Sequence, residues 1–331
     1  MPKWAVRLAI WGPLLIAAAL VVAYVLVHRP FAFDSTELSQ VPLSEGDSTL
    51  DQVGDLQYLG GLDIPRMGQN IGGLSGLRWD AESERLLAIT DDARWVWLSL
   101  EEEAGRLTGI AAVEAGDLLG PNGEVLTGKE AGDSEALLRD EEGTWGVAFE
   151  RDHRILVFHN GLSEPSVRTL FEPEERLGEM EDNSGIEALA IGNRSQLICA
   201  QRRALPDQAN CQFYSYDEDT YSDFPVYPPQ AIAGLGAVPT DADVLADGTY
   251  VVLFRSYSPA DGNSAAIVTY SPDGARREVA TLQPPMTVDN FEGLAVREED
   301  DRTFVYIVSD DNFSGNQRTL LMKFEVLPQA E

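Results

Sequence analysis

Histidine, cysteine and positive charge are all scarce in this chain of 331 residues. It has three histidines (His28, His153 and His159), two cysteines, and 24 lysines and arginines against 55 aspartates and glutamates. The formal net charge of −31 excludes nucleic acid as a partner, because phosphates would be repelled. So few histidines rule out a His-rich zinc motif. A Ser-His-Asp triad would have to use His153, near a turn, or His159, at a strand end. There is no Gly-x-Ser-x-Gly elbow, since Gly73-Leu74-Ser75-Gly76-Leu77 has its glycine too early. A phosphate-cradling P-loop is missing as well. The one helical candidate after the N-terminus is Pro173–Glu181. What these absences leave is carboxylate and arginine chemistry.

The N-terminus carries Lys3 and Arg7, then an apolar run from Leu8 to Val27. At 1.5 Å rise per residue, a run of about 20 residues matches a bilayer core of roughly 30 Å. No small-x-small cleavage site follows it, and Ala17-Ala18-Ala19 lie mid-run. Residues 1–29 therefore read as a signal anchor, a single transmembrane helix with its N-end in the cytoplasm. That places the protein in the inner membrane of a Gram-negative cell, single-pass, with its bulk on the periplasmic side. Residues 30–54, with Pro30 and Pro42, read as an acidic tether.

The stretch from Asp289 to Val326 reads as short β-strands in succession: Leu294–Val296, Thr303–Val308 and Thr319–Val326, with a polar turn at Ser309-Asp310-Asp311-Asn312. Its opening recurs along the chain, at Gly76, Ala136, Ala188, Val244 and Leu294. The spacing, near 50–60 residues, suits four-stranded units lengthened by loops. The fold class is therefore all-β: a single β-propeller of four-stranded blades over residues 55–328. Five units are visible, and Leu100–Asp133 has room for strands of a sixth. Leu56–Leu59, coming first, is placed to complete the last blade.

In such a blade the first strand lines the central channel. Its start and the end of the second strand lie on one rim. Residues opening the first strands are Ser75, Glu135, Glu187, Asp241 with Asp243, and Glu292; beyond the second strands lie Asp91, Glu150 with Arg151, Arg202, Arg255, Asp310 and Asp311. Glu135, Glu187 and Glu292 are the candidate catalytic carboxylates. Arg151, Arg202 and Arg255 are the candidates for holding an anionic substrate. Asp91, Asp310 and Asp311 are candidate ligands for Ca²⁺, a hard cation that takes oxygen donors. Cys199 ends one apolar run and Cys211 begins the next, an arrangement that suits a disulfide between neighbouring antiparallel strands in an oxidising compartment. Trp79, Trp95, Trp97 and Trp145 fall on strands and read as blade core.

Phe291-Glu292-Gly293-Leu294-Ala295, Val308-Ser309-Asp310-Asp311-Asn312-Phe313 and Gln317-Arg318-Thr319-Leu320-Leu321 together resemble the phytase-like family of bacterial extracytoplasmic proteins, described as having esterase-like activity of phytase. Phe149-Glu150-Arg151 followed by Arg154-Ile155 is similar to that family too, and the likeness runs from about Leu56 to Val326. The resemblance implies a β-propeller, leans to six blades, and implies a hydrolase of phosphate or carboxylic esters. The Asp-Ala-x-Asp-Asp-Pro-Ala segment of calcium-dependent propeller phytases is not matched, Asp241-Ala242-Asp243-Val244 being only superficially similar. Two functions stand side by side: metal-assisted hydrolysis of an anionic small-molecule ester, and a non-catalytic propeller that binds an envelope protein, peptide or glycan.

Overall fold

The computed structural model describes residues 38–65, 72–169, 171, 173–192, 194–205 and 208–328. The signal anchor and the first part of the tether lie outside the described residues. Among those described, no helix is long and apolar enough to cross a membrane.

Short runs of Val, Ile, Leu and aromatics, broken by Asp- and Gly-containing turns, form antiparallel ladders because each can bury both faces against its neighbours. Blade 1 is β4 (Leu74–Asp80), β5 (Arg85–Thr90), β6 (Arg94–Glu103) and β7 (Arg106–Asp117). Blade 2 is β8 (Ser134–Arg139), β9 (Trp145–Phe149), β10 (Arg154–Phe158) and β11 (Val167–Arg168). Blade 3 is β12 (Ile186–Ile191), β13 (Ser195–Ala200), β14 (Cys211–Ser215) and β15 (Thr220–Asp223); blade 4 is β16 (Val238–Val244), β17 (Tyr250–Ser258), β18 (Gly262–Tyr270) and β19 (Arg276–Leu282). Blade 5 is β20 (Phe291–Glu299), β21 (Arg302–Ser309) and β22 (Thr319–Val326), completed by β3 (Leu56–Ile64) against β22. The first strand thus closes the ring onto the last, as its position predicts.

Five blades close the ring. Each inner strand touches the next in cyclic order, β4 to β8, β12, β16, β20 and back to β4. Five hydrophobic clusters fill the interfaces between adjacent blades, one cluster for each. Trp95 and Trp145 are buried between blades 1 and 2, as their strand positions predict. Among the described residues there is no sixth blade, because Leu100–Asp133 is used differently. β6 and β7 run long as one hairpin out to Glu103 and back from Arg106, and the short helix α1 (Lys129–Gly132) leads into β8.

The end of the expected tether is not loose. β1 (Ser39–Gln40) and β2 (Gln52–Val53) both pair with β3. Leu43 and Val53 are buried in the cluster between blades 4 and 5, with Val41 and Leu50 packed on it. The apolar residues spaced through this acidic segment hold residues 38–54 on the domain. The helical candidate at 173–181 shortens to α2 (Pro173–Leu177); a third helical turn, α3 (Gln230–Ala233), precedes β16.

Cys199 and Cys211 face each other directly across β13 and β14 and form a disulfide buried between blades 3 and 4. Closing so short a loop restricts the unfolded chain. Replacing both cysteines with alanine should lower stability by about 2–3 kcal/mol, read as a lower urea midpoint.

Candidate functional site

Every inner strand carries a register break at the same height. Against its partner, β4 skips Ser75 and Gly76, β8 skips Glu135, β12 skips Glu187, β16 skips Thr240, and β20 skips Glu292. A bulge of this kind bends the strand and re-aims the side chain it leaves unpaired. Five bulges thus set Ser75, Glu135, Glu187, Thr240 and Glu292 at one level of one channel mouth. The two hydroxyls brace the ring, Ser75 Oγ donating to the Ser134 carbonyl at 2.9 Å and Thr240 Oγ1 to the Phe291 carbonyl at 3.3 Å. The three glutamates face the channel.

The same registers define a second tier. The residues directly after the partners of Leu74, Ser134, Ile186, Pro239 and Phe291 are Asp91, Glu150, Gln201, Arg255 and Asp310. Asp133, just before β8, is a further carboxylate at this rim. Asp133, Glu135 and Glu150 bring one ligand oxygen each within 4.8 Å of one another. Glu150 shares a hydrogen bond with Glu187, and its Oε1 accepts the Gly185 amide at 2.8 Å. Gly185 must be glycine for this approach, since a Cβ there would lie 2.9 Å from Glu150 Cγ.

Three cations face this acidity. Lys129 Nζ lies 2.9 Å from Asp91 and 2.7 Å from Asp133, Arg151 lies 2.9 Å from Asp133, and Arg255 lies 2.9 Å from Glu292. Asn290 Nδ2 donates to the same Glu292 oxygen at 2.8 Å. The carboxylates of Asp91, Asp133, Glu135, Glu150, Glu187, Glu292 and Asp310 therefore outnumber Lys129, Arg151 and Arg255. The imbalance shows in the titration of Glu135, Glu187 and Asp310. Glu135 is pushed well above the usual carboxylate range, by burial first and then by Glu187 and Glu292. Glu187 is raised too, by burial and then by Glu150 and Glu292. Asp310 is pushed up to about 8 by burial and by Glu292. Asp91 Oδ1 is buried and has no hydrogen-bond donor among the described residues.

The structure brings together most of the residues the sequence nominates, with several corrections. Glu135, Glu187 and Glu292 share one mouth, with Arg151, Arg255, Asp91 and Asp310. Arg202 does not join them: it is tied to the carbonyls of Leu177, Glu179 and Ala209, clamping a surface loop. Asp311 accepts the amides of Gly73 at 3.0 Å and Phe313 at 3.1 Å, so it organises the turn at the edge of the mouth. The tightest oxygen cluster is Asp133, Glu135 and Glu150, rather than Asp91, Asp310 and Asp311. Asp241 and Asp243 do not open the mouth. Asp241 is fully buried deeper in the channel against Arg78 at 3.0 Å, and Asp243 lies beyond it. His153, in the turn between β9 and β10, is half-buried beside Gly185 and within electrostatic reach of Glu150. The sequence places Glu150 at this rim without marking it as a ligand, and gives no sign of Asp133 or Lys129. Glu150 was within reach as a ligand, because Phe149-Glu150 and Ser309-Asp310 end equivalent strands.

The profile of the family described as "Phytase-like: Esterase-like activity of phytase" matches residues 69–313. No curated protein matches the chain. Among solved structures, the chain is similar to the α-L-arabinofuranosidase PaAbf62A of Podospora anserina, at 11% identity and a TM-score of 0.46 over 82% of this chain and 97% of that one. It is also similar to virginiamycin B lyase of Staphylococcus aureus, at 7% identity and a TM-score of 0.38 over 85% and 82% of the two chains. A luciferin-regenerating enzyme aligns at 12% identity and a TM-score of 0.36, over 89% of both chains.

Proposed function

The chain belongs to the phytase-like family with esterase-like activity of phytase, and from that premise we propose that its acidic mouth hydrolyses a phosphate or carboxylic ester with the help of a divalent cation. The observation that carries this reading is the convergence of Asp133, Glu135 and Glu150 within 4.8 Å at a mouth where carboxylates exceed cations. All-oxygen donors, a charge excess and the buried unsatisfied Asp91 oxygen suit a hard cation such as Ca²⁺. Asp133, Glu135 and Glu150 would hold it, and when bound it would polarise an ester or phosphoryl oxygen.

The chain's own groups supply the proton chemistry. Glu150 and Glu187 share a hydrogen bond, so one carboxyl holds the proton and the other is ionised. An ionised carboxylate can take the proton of an attacking water, and a protonated neighbour can deliver one to the leaving alkoxide. Arg151 and Arg255, both partly exposed at the rim, are placed to orient an anionic group. We propose further that residues 1–29 anchor the chain in the inner membrane, with the propeller on the periplasmic side.

The test is hydrolysis by the purified full-length chain of p-nitrophenyl phosphate, p-nitrophenyl acetate and phytate, with calcium and with a chelator. Turnover of an ester that calcium raises is expected. Turnover of none under either condition would assign the mouth to binding an envelope protein, peptide or glycan instead.

A further inference from the structure

Past Arg78, at the end of the channel opposite the carboxylate mouth, lies a cavity of about 730 Å³. Small-molecule sites occupy roughly 300–1,000 Å³ and combine an apolar wall with a few polar groups. Here the wall is Trp79, Ile191, Phe213, Val244, Leu245 and Val296, all half-buried along one concave surface. Each also packs on the hydrophobic cluster of a blade interface behind it, so the wall is held in place while part of every side chain stays exposed toward the cavity.

The charge of the lining decides what this cavity can take. Arginines 78, 139, 194 and 297 contribute to it, but each is already matched. Arg78 lies 3.0 Å from Asp241, and Arg139 lies 2.5 Å from Asp80 and 3.4 Å from Glu82. Arg297 pairs with Glu102 at 3.5 Å and Glu299 at 2.5 Å, and Arg194 pairs with Asp217. Apart from Asp217, those partners lie outside the cavity lining. Among the described residues, the lining carboxylates Asp140, Glu141, Asp247 and Glu298 at the rim form no ion pair with these arginines, and Asp243 at the floor pairs only with Arg78, which Asp241 engages more closely. Asp243 is 15% exposed and lies 3.9 Å from Arg78 Nε. A concave, low-dielectric wall concentrates the resulting negative field.

We propose that this cavity binds a small organic cation, an ammonium or guanidinium carried on an aromatic or aliphatic body. The body would lie against Val244, Leu245, Val296 and Phe213, and the cationic head would face Asp243 and the acidic rim. Arg78 fills the channel between the two mouths, so the site is separate from the carboxylate mouth.

Phenethylamine, its neutral counterpart 2-phenylethanol and its anionic counterpart 3-phenylpropionate, titrated by calorimetry into the full-length chain, test this. Phenethylamine should saturate one site at least about tenfold more tightly than either counterpart. Val244→Trp, which fills the cavity, should abolish that binding, whereas Glu150→Gln at the other mouth should leave it unchanged. The paired change Asp247→Asn with Glu298→Gln keeps both backbone acceptors and should weaken it about five- to tenfold. Equal binding of the neutral or anionic compound would overturn the proposal. So would no saturation up to about 10 mM, or loss of binding in Glu150→Gln with Val244→Trp unaffected.

Discussion

Replacing Glu150 by glutamine should weaken calcium binding at least about 100-fold, since even outer-shell changes cost about 10–100-fold. In the metal-free protein the same change should raise the thermal midpoint. The two effects share one cause. Glu150 sits with Asp133, Glu135 and Glu187 in a group that no local cation fully compensates. Without metal, its charge is a source of repulsion; with metal, it is a ligand. Glutamine keeps the oxygen that accepts the Gly185 amide, so the fold loses no acceptor. Relief of one repulsive charge is worth about 1 kcal/mol, or roughly 2–4 °C in a domain of this size. The pH dependence follows the same logic. Glu135, Glu187 and Asp310 have folded-state pKa values raised above those of the unfolded chain. The folded protein therefore holds protons that the unfolded chain has released, and stability falls as pH rises from about 4 through about 8. The metal-free protein should be most stable in mild acid, and calcium should restore the loss near neutral pH. A midpoint for Glu150→Gln that drops, together with calcium affinity left intact, would show that the mouth is a structural ion-pair ring.

Most of the blade plan was legible because each second and third strand is a run of β-branched, leucine and aromatic residues bounded by turn residues, as in Thr303–Val308. The inner strand of blade 4 was misplaced for a physical reason. β16 runs Val238–Val244 and contains Asp241 and Asp243, whose carboxylates accept backbone amides of other inner strands: Asp241 takes Leu77 across the channel and Leu294 of the next blade, and Asp243 takes Val296. Apolar patterning rejects two aspartates inside a strand, so the reading began only at Val244. Glu135, Glu187 and Glu292 were found because a Glu precedes the small-apolar step in three repeats. The bulges that aim them were invisible, since register belongs to the pairing and not to either strand alone. Arg151 lies at the mouth and Arg202 does not, for a related reason. Both follow a second strand, but Arg202 is held by carbonyl oxygens of its own loop, at Ala209, and of the segment before β12, at Leu177 and Glu179. The blade count was misjudged because the length of the β6–β7 hairpin has no signature beyond its residues.

Arg78→Met should destabilise the domain by about 3–5 kcal/mol, the range for removing one partner of a buried ion pair. Arg78 leaves β4, only 3% exposed, and fills the channel centre. Its Nη1 donates to Asp241 at 3.0 and 3.1 Å and to the Leu294 carbonyl at 3.0 Å, and its Nη2 donates to the carbonyls of Leu189 and Ala242. One side chain thus joins the inner strands of blades 1, 3, 4 and 5. Methionine fills most of the volume but leaves the Asp241 carboxylate buried without its counter-charge. Burial already pushes Asp241 up to about 7 even with Arg78 beside it, and removing Arg78 would raise it further. The folded variant can then shed much of the penalty by holding a proton, which the unfolded chain releases near pH 4. The loss should therefore be larger at pH 8 than at pH 5, the reverse of ordinary acid denaturation. Adding Asp241→Asn removes the stranded charge while keeping an acceptor for the amides of Leu77 and Leu294, and should recover part of the loss at pH 8 but little at pH 5. Urea unfolding of the wild type, Arg78→Met and the double variant at both pH values checks this. A loss under about 1 kcal/mol at pH 8 would mean that the plug is replaceable and that ring closure rests on the blade interfaces alone.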